Sequence, residues 1–312
     1  MAAARTTAEA AGPADRLPAG PATATPAARA HRTARRARRR AMWGTAAFHA
    51  GAGALSLLWL VPIAVVLVTA TRSFDDIAAH GLGSLPHSFT LGGFREAWVN
   101  GGQRQALVNS LVVTVPTVLL SLLLASMAAF ALSRYDVPFR RALLLLMLSG
   151  NLLPPQILLI PVSELSERLG LFDSLYALIG VQVGFGVGFY VFVLHGFMRA
   201  IPAEIQQAAV IDGAGPWQIY SRVIIPLARP ALAALTALSF TWIFNDLLWA
   251  ITVLRTDSKM PVTASLLGLQ GQYVSQWNVI AAGSVVAAAP TVLVFLRFQR
   301  HFVAGLHLGA VK

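Results

Sequence analysis

Cysteine is absent from the 312 residues, lysine occurs twice against 22 arginines, and acidic residues number 13. Without a thiol there is no thiolate nucleophile, Cys-ligated zinc, iron–sulfur cluster or disulfide. Neither Lys259 nor Lys312 has the preceding glycines and following Ser or Thr of a phosphate-binding P-loop, so the chain carries no such loop of its own. Charge of either sign is scarce. Asp, Glu, Lys and Arg make up 12% of the chain, about half the ~25% of soluble domains. With 56% hydrophobic residues and a mean hydropathy of +0.65, the chain cannot cover a water-facing surface with charge. A solitary soluble enzyme is excluded, and an all-α integral membrane protein is expected.

Charged side chains are costly in hydrocarbon, and about 20 apolar residues cross its ~30 Å, so charge-free windows mark the spans. Six appear: 41–71, 105–133, 142–163, 174–198, 230–254 with Asp246 as its one charge, and 260–296, apolar enough to span only after about Asn278. A further stretch, 77–94, holds His80, Gly81, Gly83, Pro86, His87, Gly92 and Gly93, and reads as an irregular loop. Counting Lys and Arg on alternate sides of six helices gives 18 on one side, nine of them in the N-terminal tail, and six on the other: Arg72, Arg95, Arg104, Arg168, Arg255 and Lys259. Positive charge stays cytoplasmic, which predicts both termini inside and a multi-pass protein of the bacterial plasma membrane. The expected organisation is a disordered basic tail over 1–40, a first helix over 41–72, an external loop over 73–104, a core of five helices over 105–298, and a cytoplasmic tail over 299–312. Within the core, 164–173 and 255–277 are expected outside, and 134–141 and 199–229 inside.

The first 40 residues are rich in Ala, Pro, Thr and Arg and poor in large apolar side chains, so they offer nothing to bury. Read as a signal peptide, the basic start followed by an apolar run fails, because the run is too long and five spans follow. The cluster Arg35 to Arg40 could meet nucleic acid, but beside a membrane span it suits anionic lipid and fixes topology; no nucleic acid is expected as a partner.

The internal loop over 199–229 is far from random. Pro202 suits the first turn of a helix and Glu204 its positive end, Gln207, Ala208 and Ala209 lie on a helix-favouring stretch, and Gly213 permits a left-handed cap. A second amphipathic stretch from Trp217 to Ile224 ends at Pro226. A short helix with small side chains on one face lets a partner approach closely, as a docking element must.

This loop resembles the EAA loop of the membrane subunits of binding-protein-dependent ABC importers. Gln207-Ala208-Ala209 stands where the family has Glu-Ala-Ala, Gly213 follows at the family's spacing, and Val223-Ile224-Ile225-Pro226 stands for its Ile-x-Leu-Pro end. Asn109-Ser110-Leu111, Ser133-Arg134, Pro154-Pro155-Gln156, Ile211-Asp212-Gly213-Ala214 and the C-terminal Gln299 to Leu306 are similar to the carbohydrate branch, the second, six-span membrane subunit of maltose-type importers. The likeness runs from about 45 to 312. It implies a type-1 ABC importer permease fold with six transmembrane helices and transport of a sugar or oligosaccharide. It implies a cytoplasmic ABC ATPase dimer, which would bind the ATP and magnesium and grip Glu204, Gln207, Ala208, Ala209, Asp212, Gly213 and Pro226. A second, different permease and an extracytoplasmic solute-binding protein complete the expected partners. No catalysis and no cofactor or metal are expected in this chain.

Other residues were weighed against plainer roles. Asp246 is the one acidic residue inside a span, and intramembrane carboxylates usually face a cavity or a partner. Trp242, Asn245 and Trp249 share a helical face with Asp246 adjoining, so these four are candidates for the substrate pathway, interhelical bonding being the alternative. Gln270, Gln272, Tyr273, Gln276 and Trp277 form a polar and aromatic external stretch suited to the binding protein. Gly184, Gly186 and Gly188 follow no strand and read as close helix packing rather than a nucleotide loop. Glu164 and Glu167 suit an exposed helix better than an acid–base pair. Asp75-Asp76 lacks the further carboxylates of a diphosphate site, and His49 and His195 lack neighbouring ligands. A stand-alone secondary transporter would need internal repeats and more coupling carboxylates, and a membrane transferase an acidic cluster; neither is found. Amino acid, polyamine or phosphate importers share the loop and remain an alternative to sugar.

Overall fold

The computed structural model describes residues 26–270 and 276–310, and the side chains of 44–270 and 276–299. No strand occurs among the described residues. The chain divides into two units at Val61 and Pro62. Within the first, the described residues are helical from Pro26 onward, as part of α1 (Pro26–Ala70). Residues 26–40, expected to be disordered, are therefore helical: Ala and Arg are strong helix formers, a local preference that needs no buried core. Residues 1–25 lie outside the described part.

The second unit contains the remaining elements. After α1 come α2 (Phe74–His80), α3 (Gly92–Val99), α4 (Gln103–Arg134), α5 (Arg140–Ser149), a 3-10 turn over Pro155–Leu158, α6 (Leu159–Arg168), α7 (Leu175–Ala200) and α8 (Ala203–Ile211). The chain then runs through α9 (Pro216–Gln218), a π-helical turn (Ile219–Ile224), α10 (Ile225–Phe244), α11 (Leu248–Val253), α12 (Val262–Gly268) and α13 (Trp277–Ala310). Helix α13 carries on through most of the residues expected to form a C-terminal tail.

Five of the six expected spans are single helices long and apolar enough to cross a membrane: Gly44–Ala70, Gln103–Arg134, Leu175–Ala200, Pro216–Phe244 and Trp277–Gln299. The third, expected over 142–163, is broken. Helix α5 stops at Ser149 and α6 begins at Leu159; ten helical residues reach only about 15 Å. Pro154 and Pro155 have no N–H to give and restrict the residue before them, so the backbone cannot stay helical through them. Helix α5, the turn and α6 together still carry the chain between the ends of the bundle. Arg140 at the start of α5 bonds the Leu132 carbonyl near the end of α4, while Asp173 after α6 bonds the segment that follows α11. The fifth span also differs from its expected bounds of 230–254. It starts at Pro216, inside the stretch expected to be loop, and stops at Phe244.

Packing follows membrane rules. On α4 the buried positions form one stripe, among them Val113, Thr117, Ser121, Ala125 and Ala129, while Leu119, Leu123 and Leu124 face outward. Leucine gains little by leaving lipid for protein, whereas small side chains let backbones approach and gain dispersion contacts. Helix α4 packs along α7, and α10 packs against both and against α13. In the stripe Thr117 Oγ1 donates to the Val113 carbonyl at 2.7 Å, while Ser121 Oγ is buried without a partner. At one end, Gly93 of α3 lies so close to the backbones of Ala70 and Asn278 that a Cβ would be 3.0 Å from the Asn278 carbonyl oxygen.

Connections at that same end are stitched by side chains to backbone. Asn109 Nδ2 donates to the carbonyls of Ser258 (2.9 Å) and Met260 (3.1 Å), and Ser110 Oγ accepts from Val262 N at the start of α12 (2.8 Å). The Asn-Ser pair singled out in the sequence thus fastens α4 to the segment before α12. Asp173, in the left-handed region at φ 57°, accepts from Arg255 N, Thr256 N, Thr256 Oγ1 and Lys259 Nζ at 2.6–3.0 Å. The Thr256 hydroxyl first, then the Arg255 N–H and Lys259, hold its carboxyl well below the ordinary carboxylate value. A depressed carboxylate pKa stabilises the fold above its unfolded value and ceases to do so as pH falls through the folded one. Asp173→Asn is expected to lower the thermal midpoint by roughly 3 °C above about pH 5, and the gap from the native chain should narrow below pH 4. Thermal scans from pH 7 to 3 at one scan rate check this; a gap that widens with acid refutes the clamp.

Candidate functional site

Two places combine unusual backbone with exposed or enclosed chemistry. The first lies where α10 ends. Asn245, Asp246 and Leu247 leave helical geometry before α11 begins. The Asp246 carboxylate accepts from Gln182 Nε2 of α7 at 3.1 Å. A carboxylate in this setting is costly unless its oxygens are hydrogen-bonded. Gln182 supplies one such bond from across the bundle. Gln182 keeps its Oε1 buried without a partner.

Around this pair lies a cavity of about 170 Å³, lined by Asn151, Gln182, Gly186, Tyr190 and Asp246 together with Phe185, Phe189, Trp242, Ile243 and Trp249. Phe185 stacks on Trp249 with ring centroids 4.8 Å apart, and Phe189 lies 5.4 Å from Trp242. Such pairs add about 0.5–1.5 kcal/mol each to the burial of their rings. Close approach of α5 to α7 brings Asn151 here: a Cβ on Gly188 would run into the Met147 carbonyl and press on the Asn151 amide. The packing role read for the glycine run therefore holds at Gly188, while Gly186 lines the cavity and Gly184 has open space beside it.

Of the four residues expected on one helical face, Trp242, Asp246 and Trp249 line this cavity and Asn245 does not. Asn245 bonds the Thr241 carbonyl at 2.8 Å and Thr291 of α13 at 3.4 Å. The helical spacing that placed it with the tryptophans fails because the helix stops at Phe244, so positions after it turn by a different angle. Asp246 faces the cavity and bonds Gln182 of the neighbouring helix α7. Gln182, Phe185 and Phe189 were not anticipated, although they form an i, i+3, i+7 stripe on α7 and Gln182 is a rare amide within an apolar span.

The second place is the opposite end of the bundle. Helix α8 buries none of its residues. Ile211 is 85% exposed and Trp217 62%, and Glu204, Gln207, Ala208 and Asp212 are exposed beside them. Gly213 ends α8 at φ 81°, as expected of a left-handed cap, and Ala214 N closes the turn onto the Ala209 carbonyl at 2.9 Å. Ala209 is half-buried and packs inward. Below it, the π-helical turn has a cause in sequence. Pro226 has no N–H for the Arg222 carbonyl, and Ile225 N reaches back five residues to the Tyr220 carbonyl. Tyr220 is buried, meets Ser126 of α4 through its hydroxyl at 2.8 Å, and lies against Phe130. Arg134 Nη2 donates to the Met198 and Ile201 carbonyls at the end of α7, anchoring the entry to α8. The backbone of α8 is thus held firmly while its outer face is left bare.

Of the stretch expected to meet a binding protein, Gln270, Gln276 and Trp277 are exposed, and Gln272 and Tyr273 lie outside the described residues. His195 is buried on α7. Glu164 pairs with Arg168 at 3.5 Å on an exposed face, in keeping with the surface role read for it.

Comparison with known proteins gives these features a setting. The profile described as "Binding-protein-dependent transport system inner membrane component" matches residues 121–307. The chain is 32% identical over 259 residues, 83% of its length and 93% of the relative's, to the probable starch degradation products transport system permease protein AmyC of Thermoanaerobacterium thermosulfurigenes. It is 34% identical over 233 residues, 73% of its length and 61% of the relative's, to the alpha-glucoside transport system permease protein AglG of Rhizobium meliloti. Its fold matches a chain in the crystal structure of a bacterial ABC transporter that imports alginate, with a TM-score of 0.74 at 24% identity, over 85% of this chain and 98% of that one. The protein belongs to the binding-protein-dependent transport system inner membrane component family and is a membrane-embedded permease subunit of an ABC importer, a transport component rather than an enzyme.

Proposed function

We propose that this permease imports a sugar or oligosaccharide in a bacterial plasma membrane, both termini cytoplasmic, driven by a separate ABC ATPase dimer that grips α8. ATP and magnesium belong to that ATPase. A different permease subunit completes the pathway, and an extracytoplasmic solute-binding protein delivers substrate at the end that carries α2, α3 and α12. The observation that carries the coupling half of this reading is the bare face of α8. Its apolar side chains are exposed on a helix whose ends are pinned by Arg134 and by the Gly213 cap. An apolar helix face on a rigid mount suits insertion into a groove of another protein.

Substrate class rests on the cavity and on the relatives named for sugars. Aromatic faces and a carboxylate–amide pair match the two sides of a sugar, its apolar ring face and its hydroxyl edge. At about 170 Å³ the cavity is smaller than the ~300 Å³ of sites for drug-sized ligands and takes one ring at a time. Gln182 Oε1, buried without a partner, is an acceptor for a substrate hydroxyl.

Co-purification in mild detergent tests the coupling. Ile211→Arg places a charge on the exposed face and is expected to abolish retention of the ATPase while leaving the second permease attached. Gly213→Ala forces a side chain into φ 81°, where open space leaves only the conformational cost of about 1 kcal/mol, and retention should fall about 5-fold. Gly213→Asn should restore part of it, because asparagine tolerates this region. A chain that purifies alone and transports without ATP refutes the importer reading.

For the cavity, ATP-driven uptake of labelled maltodextrins and α-galactosides into proteoliposomes should fall about 10-fold in Gln182→Leu, the loss of one buried hydrogen bond to substrate, and in Trp249→Ala. Undiminished uptake in both variants, with the complex intact, removes the cavity from the pathway.

A further inference from the structure

We infer that Asp76, His80 and His87 form a divalent-cation site of the zinc class on the segment between α1 and α3. Their ligand atoms, one from each residue, all lie within 4.8 Å of one another. The site is independent of the transport reading and uses residues that no part of that reading employs.

Its frame is built around Arg72, a guanidinium with no exposed surface. Arg72 Nε donates to Asp76 Oδ2 at 2.6 Å, Nη1 to the carbonyls of Gly81 and Ser84 at 3.2 Å, and Nη2 to Ser84 Oγ at 2.9 Å. Ser73 caps the first turn of α2 by accepting from Asp76 N. Gly81, at φ 82°, then turns the chain back after His80, and Pro86, with its φ fixed by the ring, stands immediately before His87. The segment returns to the carboxylate it left, and His87 N approaches Asp76 Oδ2 at 3.4 Å. One carboxylate oxygen is therefore committed to Arg72 and this backbone.

The other oxygen is shared by two imidazoles. Asp76 Oδ1 is 3.2 Å from His80 Nδ1 and 3.5 Å from His87 Nδ1. A tetrahedral zinc ion with bonds of about 2.05 Å to nitrogen and oxygen has ligands separated by about 3.3 Å. Both measured separations fall on that edge length. The two rings stack with centroids 4.1 Å apart and planes 20° apart. A cation held by both rings and the carboxylate would draw one ligand atom from each of the three residues. Two imidazoles and one carboxylate suit zinc and its borderline neighbours rather than calcium or magnesium, which prefer oxygen alone. Arg72 then acts as the outer partner that orients the carboxylate, the arrangement that usually supports a metal ligand. The imidazoles are 46% and 59% exposed, so the fourth position faces solvent. A bound ion would close the chain from His80 to His87 into a ring beside the buried guanidinium and rigidify the segment ahead of α3.

Sequence spacing conceals this group because the ligands come from both sides of a turn, and Asp75-Asp76 draws attention as a carboxylate pair when only the second member points inward. Asp75 is exposed.

The test uses the full chain in detergent with a purification tag free of histidine, stripped with chelator, exposed to micromolar Zn²⁺ at pH 7.4 and desalted. Elemental analysis should find one zinc per chain, with affinity measured by competition against a fluorescent zinc chelator. His80→Ala/His87→Ala should weaken binding about 100-fold and His87→Ala alone about 10-fold, while Asp75→Asn leaves it unchanged. Zinc should raise the thermal midpoint of the native chain and not that of the double variant. Both imidazoles are largely exposed, so these variants are expected to fold with the parent, which an unchanged thermal midpoint without zinc checks. Equal zinc content in the native and double-variant chains, or no zinc retained by the native chain, overturns the assignment.

Discussion

Hydrocarbon offers no hydrogen-bond partner, so where this chain leaves helical geometry within the membrane it must bring its own donors and acceptors, and side chains take the same part at the ends of the helices. That constraint explains more of the structure than apolar burial does. Arg134 closes the end of α7, Asn109 and Ser110 hold the approach to α12, and Asp173 gathers the loop after α11. Arg72 does the same for the turn after α2. Each is a polar or charged residue that composition alone would mark as misplaced in so apolar a chain. Each is found where backbone groups would otherwise be left unpaired. Side-chain packing fills the space between these anchors with alanine, serine and threonine together with leucines such as Leu178, Leu194, Leu235 and Leu254, while the lipid-facing positions of α4 carry further leucines.

Legibility in the sequence follows from this division. Long apolar helices are plain in the sequence, since five of the six windows each overlap one helix of membrane length, although 230–254 also takes in the break and α11 and 260–296 also takes in α12. The left-handed cap at Gly213 is legible in the loop over 199–229 because glycine suits that conformation. Helix breaks inside apolar segments were not legible. The window over 142–163 contains Pro154 and Pro155, but charge counting treats proline as apolar, and the expected helix resolved into α5, a turn and α6. The stop at Phe244 carries even less signal: the Asn245 amide turns back to the Thr241 carbonyl, and helical periodicity read across that point does not describe where Asn245 sits. The aromatic stripe on α7 was hidden for a different reason. Phe185 and Phe189 sit in a helix apolar on every side, and only the depth of packing separates cavity wall from lipid face.

The two irregular places on α10 and its approach stand in a definite mechanical relation. One continuous helical path runs from Pro216 through the π-turn to Phe244, 29 residues that cover about 40 Å. At one end, exposed α8 packs on the π-turn; at the other, the break at Asn245 to Leu247 holds the carboxylate that faces the cavity. A π-turn has one more residue per turn than its flanks and can revert by shifting a single backbone bond, so it is a natural place for a helix to change register without melting. On the proposed reading, force applied to α8 enters through Tyr220, whose hydroxyl meets Ser126 and whose ring lies against Phe130 of α4. It then has two rigid elements to move against each other, α10 and the α4–α7 pair. The cavity lies between those same elements, with Asp246 following α10 and Gln182 on α7. Sliding α10 along α7 by a fraction of a turn would stretch the 3.1 Å Gln182–Asp246 bond before it disturbed any lipid-facing contact. A bond that must break when the helices move, and that a substrate hydroxyl could replace, is a physical means by which occupancy of the cavity and the position of α8 influence one another.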